Sequence, residues 1–188
     1  MNGELLLCRV DLPLHAEVAS EKRELAIVSQ TDLILQRREW KRNGKRLVCV
    51  TGAFDLLHPG HVRLLEHARG LGDILVVGVR SDASRSAEDA ASSTPLAPFV
   101  NPGAERAEIL SNLACVDYVT QYDEPTAREF IARLAPEVVA KGGEVTSDEN
   151  EFLDDEAARS SGAKVIRIPL EPGFSTARLL ERIKQLPA

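Results

Sequence analysis

The stretch Leu47-Val48-Cys49-Val50-Thr51-Gly52-Ala53-Phe54-Asp55-Leu56-Leu57-His58-Pro59-Gly60-His61-Val62 decides the fold of this chain. Its first four residues form a β-rich apolar run. After it, Val62, Leu65 and Ala68 recur at helical spacing until Gly70 offers a stop. His58 and His61 therefore fall at the start of a helix. There the first backbone N–H groups lack intrahelical partners and the macrodipole is positive, so an anion is favoured before any side chain contributes. Two imidazoles add directed donors. Gly52 suits a turn where backbone must approach a ligand closely, and Pro59 with Gly60 narrows the conformations open to the chain between the histidines.

Working outward, strand candidates lie at 46–50, 74–79, 116–120, 137–140 and 164–168, with helical patterns between them. Nearly continuous Val, Ile and Leu in those runs predicts an α/β fold: a Rossmann-like, five-stranded, mostly parallel sheet with helices on both faces. Such sheets bind ligands beyond the carboxyl ends of their strands, near the switch in strand order. His58, Asp82, Lys141 and Ser175 all follow candidate strands, so one cleft could gather them. Thr31 to Asn43 reads as a helix ending at Asn43-Gly44. The Ala-, Ser- and Pro-rich linker from Ala83 to Pro98 reads as a mobile loop beside the cleft. The expected organisation is an N-terminal extension over 1–30, with Leu5 to Leu14 as an added edge strand or an arm, and one domain over 31–188.

Composition narrows the function classes. The 188 residues, 44% hydrophobic and 28% charged, suit one globular domain, and with 4% aromatics its core must be mainly aliphatic. A net charge of -6 argues against extended nucleic-acid binding, which depends on neutralising phosphates. No apolar run approaches the roughly 20 residues of a membrane helix. Leu5-Leu6-Leu7-Cys8 is short, lacks a basic flank before it and is soon followed by Arg9 and Asp11, so a cytoplasmic protein without membrane association is expected. Cys8, Cys49 and Cys115 have no pairing or metal-like spacing and read as reduced thiols.

With the strand before it and the helix after it, the G-x-F-D-x-x-H-x-G-H pattern of Gly52 to His61 resembles the signature of the cytidylyltransferase-like nucleotidyltransferases. Within them the chain is most similar to the adenylyltransferase domain of ADP-heptose synthase, over about Ala26 to Leu186. The landmarks are Gly44-Lys45-Arg46, Leu71-Gly72-Asp73, Val79 to Asp82, Asn101-Pro102 with Arg106, Val116 to Val119, Lys141-Gly142-Gly143 and Gly173-Phe174-Ser175-Thr176. The resemblance implies transfer of AMP from ATP to a sugar 1-phosphate, D-glycero-β-D-manno-heptose 1-phosphate, giving ADP-heptose and pyrophosphate for lipopolysaccharide synthesis. It implies catalytic roles for His58, His61 and Lys141. Nucleotide and phosphate contacts would come from Gly52, Ala53, Phe54, Asp55, Gly60, Arg106, Gly142, Gly143, Ser175 and Thr176. Mg²⁺ would arrive on the triphosphate, with no dedicated protein metal site. A homo-oligomer is implied too. The bifunctional relatives fuse this domain to a sugar kinase, which a separate protein would have to supply here.

Plainer readings compete. Arg106 could decorate a helix surface, and Ser175 or Thr176 could simply cap one. His15 and His67 carry no assignment, and the basic run Arg37 to Arg46 is what a helix C-terminus attracts by its dipole. The chain also departs from the family. Ala83 to Asn101 contains no lysine where relatives carry several, Thr51 replaces Asn, Glu144 replaces Asp, and Ala177 replaces Thr. Two further readings therefore stand beside the adenylyltransferase: a cytidylyltransferase using CTP on glycerol 3-phosphate or another sugar or polyol phosphate, and a non-catalytic nucleotide-binding protein. No G-x-x-x-x-G-K-[ST] occurs, which disfavours a Walker-type NTPase.

Overall fold

The computed structural model describes residues 26–85, 98–143 and 149–186. Helix α1 (Gln30–Arg42) leads into strand β1 (Leu47–Gly52), followed by α2 (Pro59–Arg69), β2 (Ile74–Arg80), α3 (Gly103–Ser111) and β3 (Tyr118–Tyr122). The second half runs α4 (Arg128–Leu134), β4 (Val138–Gly142), α5 (Glu149–Ser160), β5 (Lys164–Ile168) and α6 (Thr176–Lys184). The strands form one sheet in the order β3-β2-β1-β4-β5, and every pairing is parallel. The chain winds outward from β1 in one direction and then, through β4, in the other. The switch lies between β1 and β4, where their carboxyl ends diverge and leave a crevice.

Alternation along the strands sorts the core into two layers. Val48 and Val50 of β1 face Leu65 and Ala68 of α2 and Ala107 and Leu110 of α3. Leu47 and Cys49 face Leu33 of α1, Phe130, Ile131 and Leu134 of α4, and Ala158 of α5. Because successive side chains in a strand point to opposite faces, Gly52 belongs to the α2 face and Thr51 to the other. Burial pushes the Cys49 thiol up to about 12, helped by the charge of Asp154, so it packs as an inert small hydrophobe. Cys8 lies outside the described residues.

The predicted strands are present: β5 keeps its expected bounds, 164–168, and the other four are shifted by one or two residues. The largest shift is in β3, expected at 116–120 and found at Tyr118–Tyr122. Val116 instead closes a turn, its amide on the Leu113 carbonyl, and Asp117 exchanges two bonds with Leu75, accepting from its amide at 2.8 Å and donating to its carbonyl at 3.1 Å. The apolar run is the same, but its first residue packs in a turn. Helix α1 starts one residue early, capped by Ser29, whose hydroxyl accepts from the Asp32 amide at 3.1 Å. Just before it, Ile27 bridges in parallel to Val119 on the free edge of β3. The expected strand or arm over Leu5–Leu14 and most of the 83–98 linker lie outside the described residues.

Arg37 corrects the reading of the basic run. It is 5% exposed and forks onto the Ala135 carbonyl at 2.8 Å and the Glu137 carboxylate at 2.6 Å. Glu137 also accepts from the Leu47 amide at 2.8 Å. Only Lys41 and Arg42 sit in the last turn where the dipole argument applies. Arg37 instead ties α1 to the left-handed turn at Ala135 that starts β4.

Candidate functional site

The site grows from the end of β1. Phe54 takes a left-handed backbone, φ 51°, a conformation that costs a non-glycine residue about 1–3 kcal/mol and persists only when its surroundings demand it. Here the ring is buried. It folds back over Gly52, where an added Cβ would sit 3.1 Å from the ring, and meets the His61 ring edge-on at a centroid distance of 5.4 Å. Four residues further on, His58 is the N-cap of α2.

That cap is unusual. His58 makes no side-chain capping bond, and Pro59 contributes no N–H, so no side chain neutralises the positive end of α2. The His58 and His61 rings stack at 3.8 Å with an interplanar angle of 16°. Gly60 permits this: a Cβ there would lie 3.1 Å from His58 Nδ1 and 3.2 Å from Phe174 Cβ. Burial, helped by the neighbouring His58, pushes His61 down to about 4, and burial also holds His58 below the usual imidazole value. Both shifts favour the uncharged imidazole. Nδ1 of each is buried without a hydrogen-bond partner, which leaves two directional groups unsatisfied at a helix N-terminus.

The β5–α6 loop forms the facing wall. Arg63 of α2 pairs with Glu171 at 2.7 Å and lies over the Phe174 ring at 5.5 Å, so α2 itself holds the loop in place. Ser175 caps α6 by accepting from the Arg178 amide at 3.1 Å, and Thr176 is the first residue of that helix. A cavity of about 360 Å³ lies between the two helix starts, lined among others by His58, Pro59, Gly173, Ser175, Arg178 and Arg182. The two arginines were not anticipated from the sequence. Arg178, a cation in the first turn of a helix, breaks the dipole preference and was the available signal.

Asp55 and Arg106 organise the site from behind. Asp55 accepts from the amides of Val100 and Asn101 at 2.9 and 2.8 Å, while Asn101 Nδ2 donates to the Asp55 carbonyl at 2.8 Å. Arg106 is fully buried. Its guanidinium donates to the carbonyls of Asn101 at 2.9 Å, Ala53 at 2.7 Å and Arg80 at 2.6 Å, and pairs with Asp82 at 2.8 Å. Phe99 stacks 4.2 Å from it. Asp82 also accepts from the Gly103 amide, capping α3 where Pro102 has no capping side chain; that bond first, and then Arg106, holds its carboxyl below the usual range. In this arrangement Arg106 clamps backbone around Ala53, which is Ala53's place in the site.

Lys141 stands apart from the histidines. It shares the face of Val139, towards α5, whereas Gly142 shares the α2 face, with an added Cβ 2.8 Å from Leu170 and 3.3 Å from Leu64. Lys141 Nζ lies 2.8 Å from Asp155 and 4.0 Å from Asp154. Asp155 also pairs with Arg167 at 2.7 Å; burial works to raise its carboxyl, but Lys141 and Arg167 outweigh it and hold it low. Asp154 is raised to about 6, chiefly by burial. Gly143, at φ 89°, ends β4 in a turn that glycine adopts without strain. Sequence reasoning missed both aspartates, because nothing in the sequence of the following helix marks which lysine its Asp154 and Asp155 will meet.

Among the described residues no helix is long and apolar enough to cross a membrane, and no three His, Cys, Asp or Glu side chains gather as a metal site.

Comparisons with known proteins agree with this architecture. The model of the Cytidylyltransferase-like family matches residues 49–182. The chain is 39% identical over 171 residues to the Bifunctional protein HldE of Rhodopseudomonas palustris (strain HaA2), and 42% identical over 143 residues to that of Syntrophotalea carbinolica. The alignments cover 91% and 76% of this chain but 33% and 28% of those proteins, so the chain spans about a third of the length of the curated relatives it matches. Among solved structures, a lipopolysaccharide core biosynthesis protein from Thermoplasma volcanium is 26% identical with a TM-score of 0.52, covering 68% of this chain and 98% of that one. A pantoate-beta-alanine ligase from Francisella tularensis, 14% identical with a TM-score of 0.54 over 87% of this chain and 74% of its own, shares the fold. The parallel sheet switching at β1, the strained turn into a histidine-bearing helix and these matches have one reading: the chain belongs to the cytidylyltransferase-like family of nucleotidyltransferases.

Proposed function

We propose that this protein transfers the adenylyl group of ATP to the phosphate of a sugar 1-phosphate, D-glycero-β-D-manno-heptose 1-phosphate, releasing pyrophosphate. The observation that carries the reading is the stacked pair His58 and His61 at a helix start beyond β1 that no side-chain cap bond closes. The similarity to HldE proteins supports the choice of donor and acceptor.

In the reaction an oxygen of the acceptor phosphate attacks the α-phosphorus of ATP in line, a new P–O bond forms, and the bond to the pyrophosphate oxygen breaks. A phosphate nucleophile is already anionic at neutral pH. The protein therefore supplies position and charge stabilisation, without a general base or covalent intermediate. His58 and His61 donate to phosphate oxygens in the transition state, where charge is greatest. Gly52 and Gly60 keep side-chain bulk out of the phosphate path, Phe54 fixes the turn, and Ser175 and Thr176 face the phosphates from α6. Asp55 and Arg106 act by holding the Ala53 to Asn101 backbone. Lys141 and the Gly142-Gly143 turn sit at the β4 side of the switch, and Lys141 reaches a phosphate only by leaving Asp155.

The cavity offers imidazole, hydroxyl and guanidinium groups, and the oxygens of Asp55 and Asp82 are engaged by backbone amides and Arg106. That donor set fits Mg²⁺ held by phosphate oxygens and water. When bound it neutralises part of the triphosphate charge.

Pyrophosphate release by purified protein with Mg²⁺ tests the reading, comparing ATP and CTP across heptose 1-phosphate, other sugar 1-phosphates and glycerol 3-phosphate. His61→Ala should lower turnover by roughly 10²- to 10³-fold, the scale of losing one such donor. Release only with CTP would replace the reading by a cytidylyltransferase. Nucleotide binding without release on any acceptor would replace it by a non-catalytic nucleotide-binding protein.

A further inference from the structure

We propose that Arg178 and Arg182 of α6 form a phosphoryl-binding subsite facing His58, taking the place of the lysines that the 83–101 segment lacks. The proposal rests on the nucleotidyltransferase reading and adds to it the residues that take the charge of a terminal phosphoryl group.

Three independent observations converge on this cavity. First, both arginines line it together with His58, four residues apart and hence on one face of α6. Second, neither makes a hydrogen bond or ion pair through its side chain among the described residues, although Glu181 lies on the same helix. Arg178 Nη1 instead extends over Gly173, 3.5 Å from where a Cβ would stand. Gly173 has φ 88° and carries no side chain to close that wall. Third, His58 lines this cavity as well, and its Nδ1, packed over Gly60, has no partner.

The arrangement is unfavourable for folding alone. Arg178 is the third residue of α6, where the helix dipole repels a cation, and Arg182 places a like charge one turn on. No acidic residue occupies that first turn. An anion between His58 and the two arginines reverses each of these terms at once, and a local rule broken without a folded-state gain is expected at functional sites. The group best matched is a phosphoryl with two or more free oxygens, because guanidiniums bind such oxygens through paired N–H donors. It belongs either to the pyrophosphate end of the nucleotide or to the acceptor.

Calorimetric titration tests this, with inorganic pyrophosphate, glucose 1-phosphate and ATP added separately to wild type, Arg178→Ala, Arg178→Lys and the Arg178→Ala/Arg182→Ala double variant. Both positions are exposed, so the variants keep the wild-type melting temperature, which is checked alongside. Arg178→Ala should weaken pyrophosphate or the sugar phosphate about 10-fold, the scale of one hydrogen bond to a charged group, and Arg178→Lys should recover part of it. The ligand that weakens identifies which phosphoryl group the subsite holds. Wild-type-like binding of all three ligands by the double variant would overturn the subsite while leaving the nucleotide reading intact. A wild type that binds none of the three would overturn both.

Discussion

The imidazole of His61 lies 3.8 Å from that of His58, nearly parallel to it, with the Phe54 ring edge-on behind. Two positive charges at that separation would repel, and the surrounding apolar groups offer no compensation. Burial holds both rings below the usual imidazole value, so their neutral forms are favoured before an anion arrives. A phosphate favours the charged imidazole and so reverses the shift that burial imposes.

Binding should accordingly take up protons. Between about pH 4, the value of His61, and the ordinary imidazole range near pH 6.5, free protein holds the ring neutral while the complex holds it charged. Pyrophosphate titrations at pH 5.5 in buffers of different ionisation enthalpy should show net uptake in wild type and much less in His61→Asn. Equal, negligible uptake in both would mean that His61 does not meet the anion.

Arg106 and Asp82 form one ion pair, yet the two sides differ in weight. The Arg106 side chain is 0% exposed and holds three backbone carbonyls, whereas the Asp82 side chain is 57% exposed. Arg106→Met strands those buried acceptors and should cost about 3–5 kcal/mol, the range for removing one partner of a buried charged network. Asp82→Asn, which can still accept from the Gly103 amide, should cost under about 1 kcal/mol. Urea unfolding of both variants measures the difference, and equal losses would contradict this division of roles.

Much of this was legible in the sequence, for identifiable reasons. Continuous apolar runs such as Leu47–Val50 announce strands covered on both faces, and the change to helical spacing after His61 fixes where the site begins. The stacked geometry of His58 and His61 was not legible, since it depends on Phe54 adopting a positive φ that sequence does not advertise. Nor was the partner of Lys141. Alternation along β4 sends its side chain away from α2, but which acid of α5 receives it is settled by how the two helices and the strand pack. Arg106 was expected near phosphates and is found clasping backbone, a distinction that only burial and partners reveal.

Asp55 should control the local stability of the segment that returns to α3. Its carboxylate is the acceptor for both the Val100 and Asn101 amides. In Asp55→Ala those amides should exchange with solvent at least about 10-fold faster, while amides of β1 and β2 stay protected, because the loss is a local opening of about 1–3 kcal/mol. Asp55→Asn should retain part of the protection through its single carbonyl oxygen. Uniform acceleration across the sheet would show instead that Asp55 supports the whole fold.

Asp154 sets an opposite pH dependence from His61. Burial raises its carboxyl from 3.8 to about 6 despite Lys141 4.0 Å away, because Asp155 already claims that lysine at 2.8 Å. Between those two pH values the folded chain holds a proton that the unfolded chain has released, so this residue's contribution to stability falls as pH rises through the window and is lowest above about pH 6. His61 works the other way: its folded value is depressed, so its contribution is present above about pH 6.5 and is lost as pH falls towards 4. Asp154→Asn removes the penalty without disturbing the Lys141–Asp155 pair. It should stabilise the protein at pH 7.5 by about 1–2 kcal/mol, allowing for its remaining contact with solvent, and the gain should vanish towards pH 4. Thermal melts of wild type and variant from pH 4 to 8 measure it; a gain independent of pH would show that the charge of Asp154 is not what destabilises the fold.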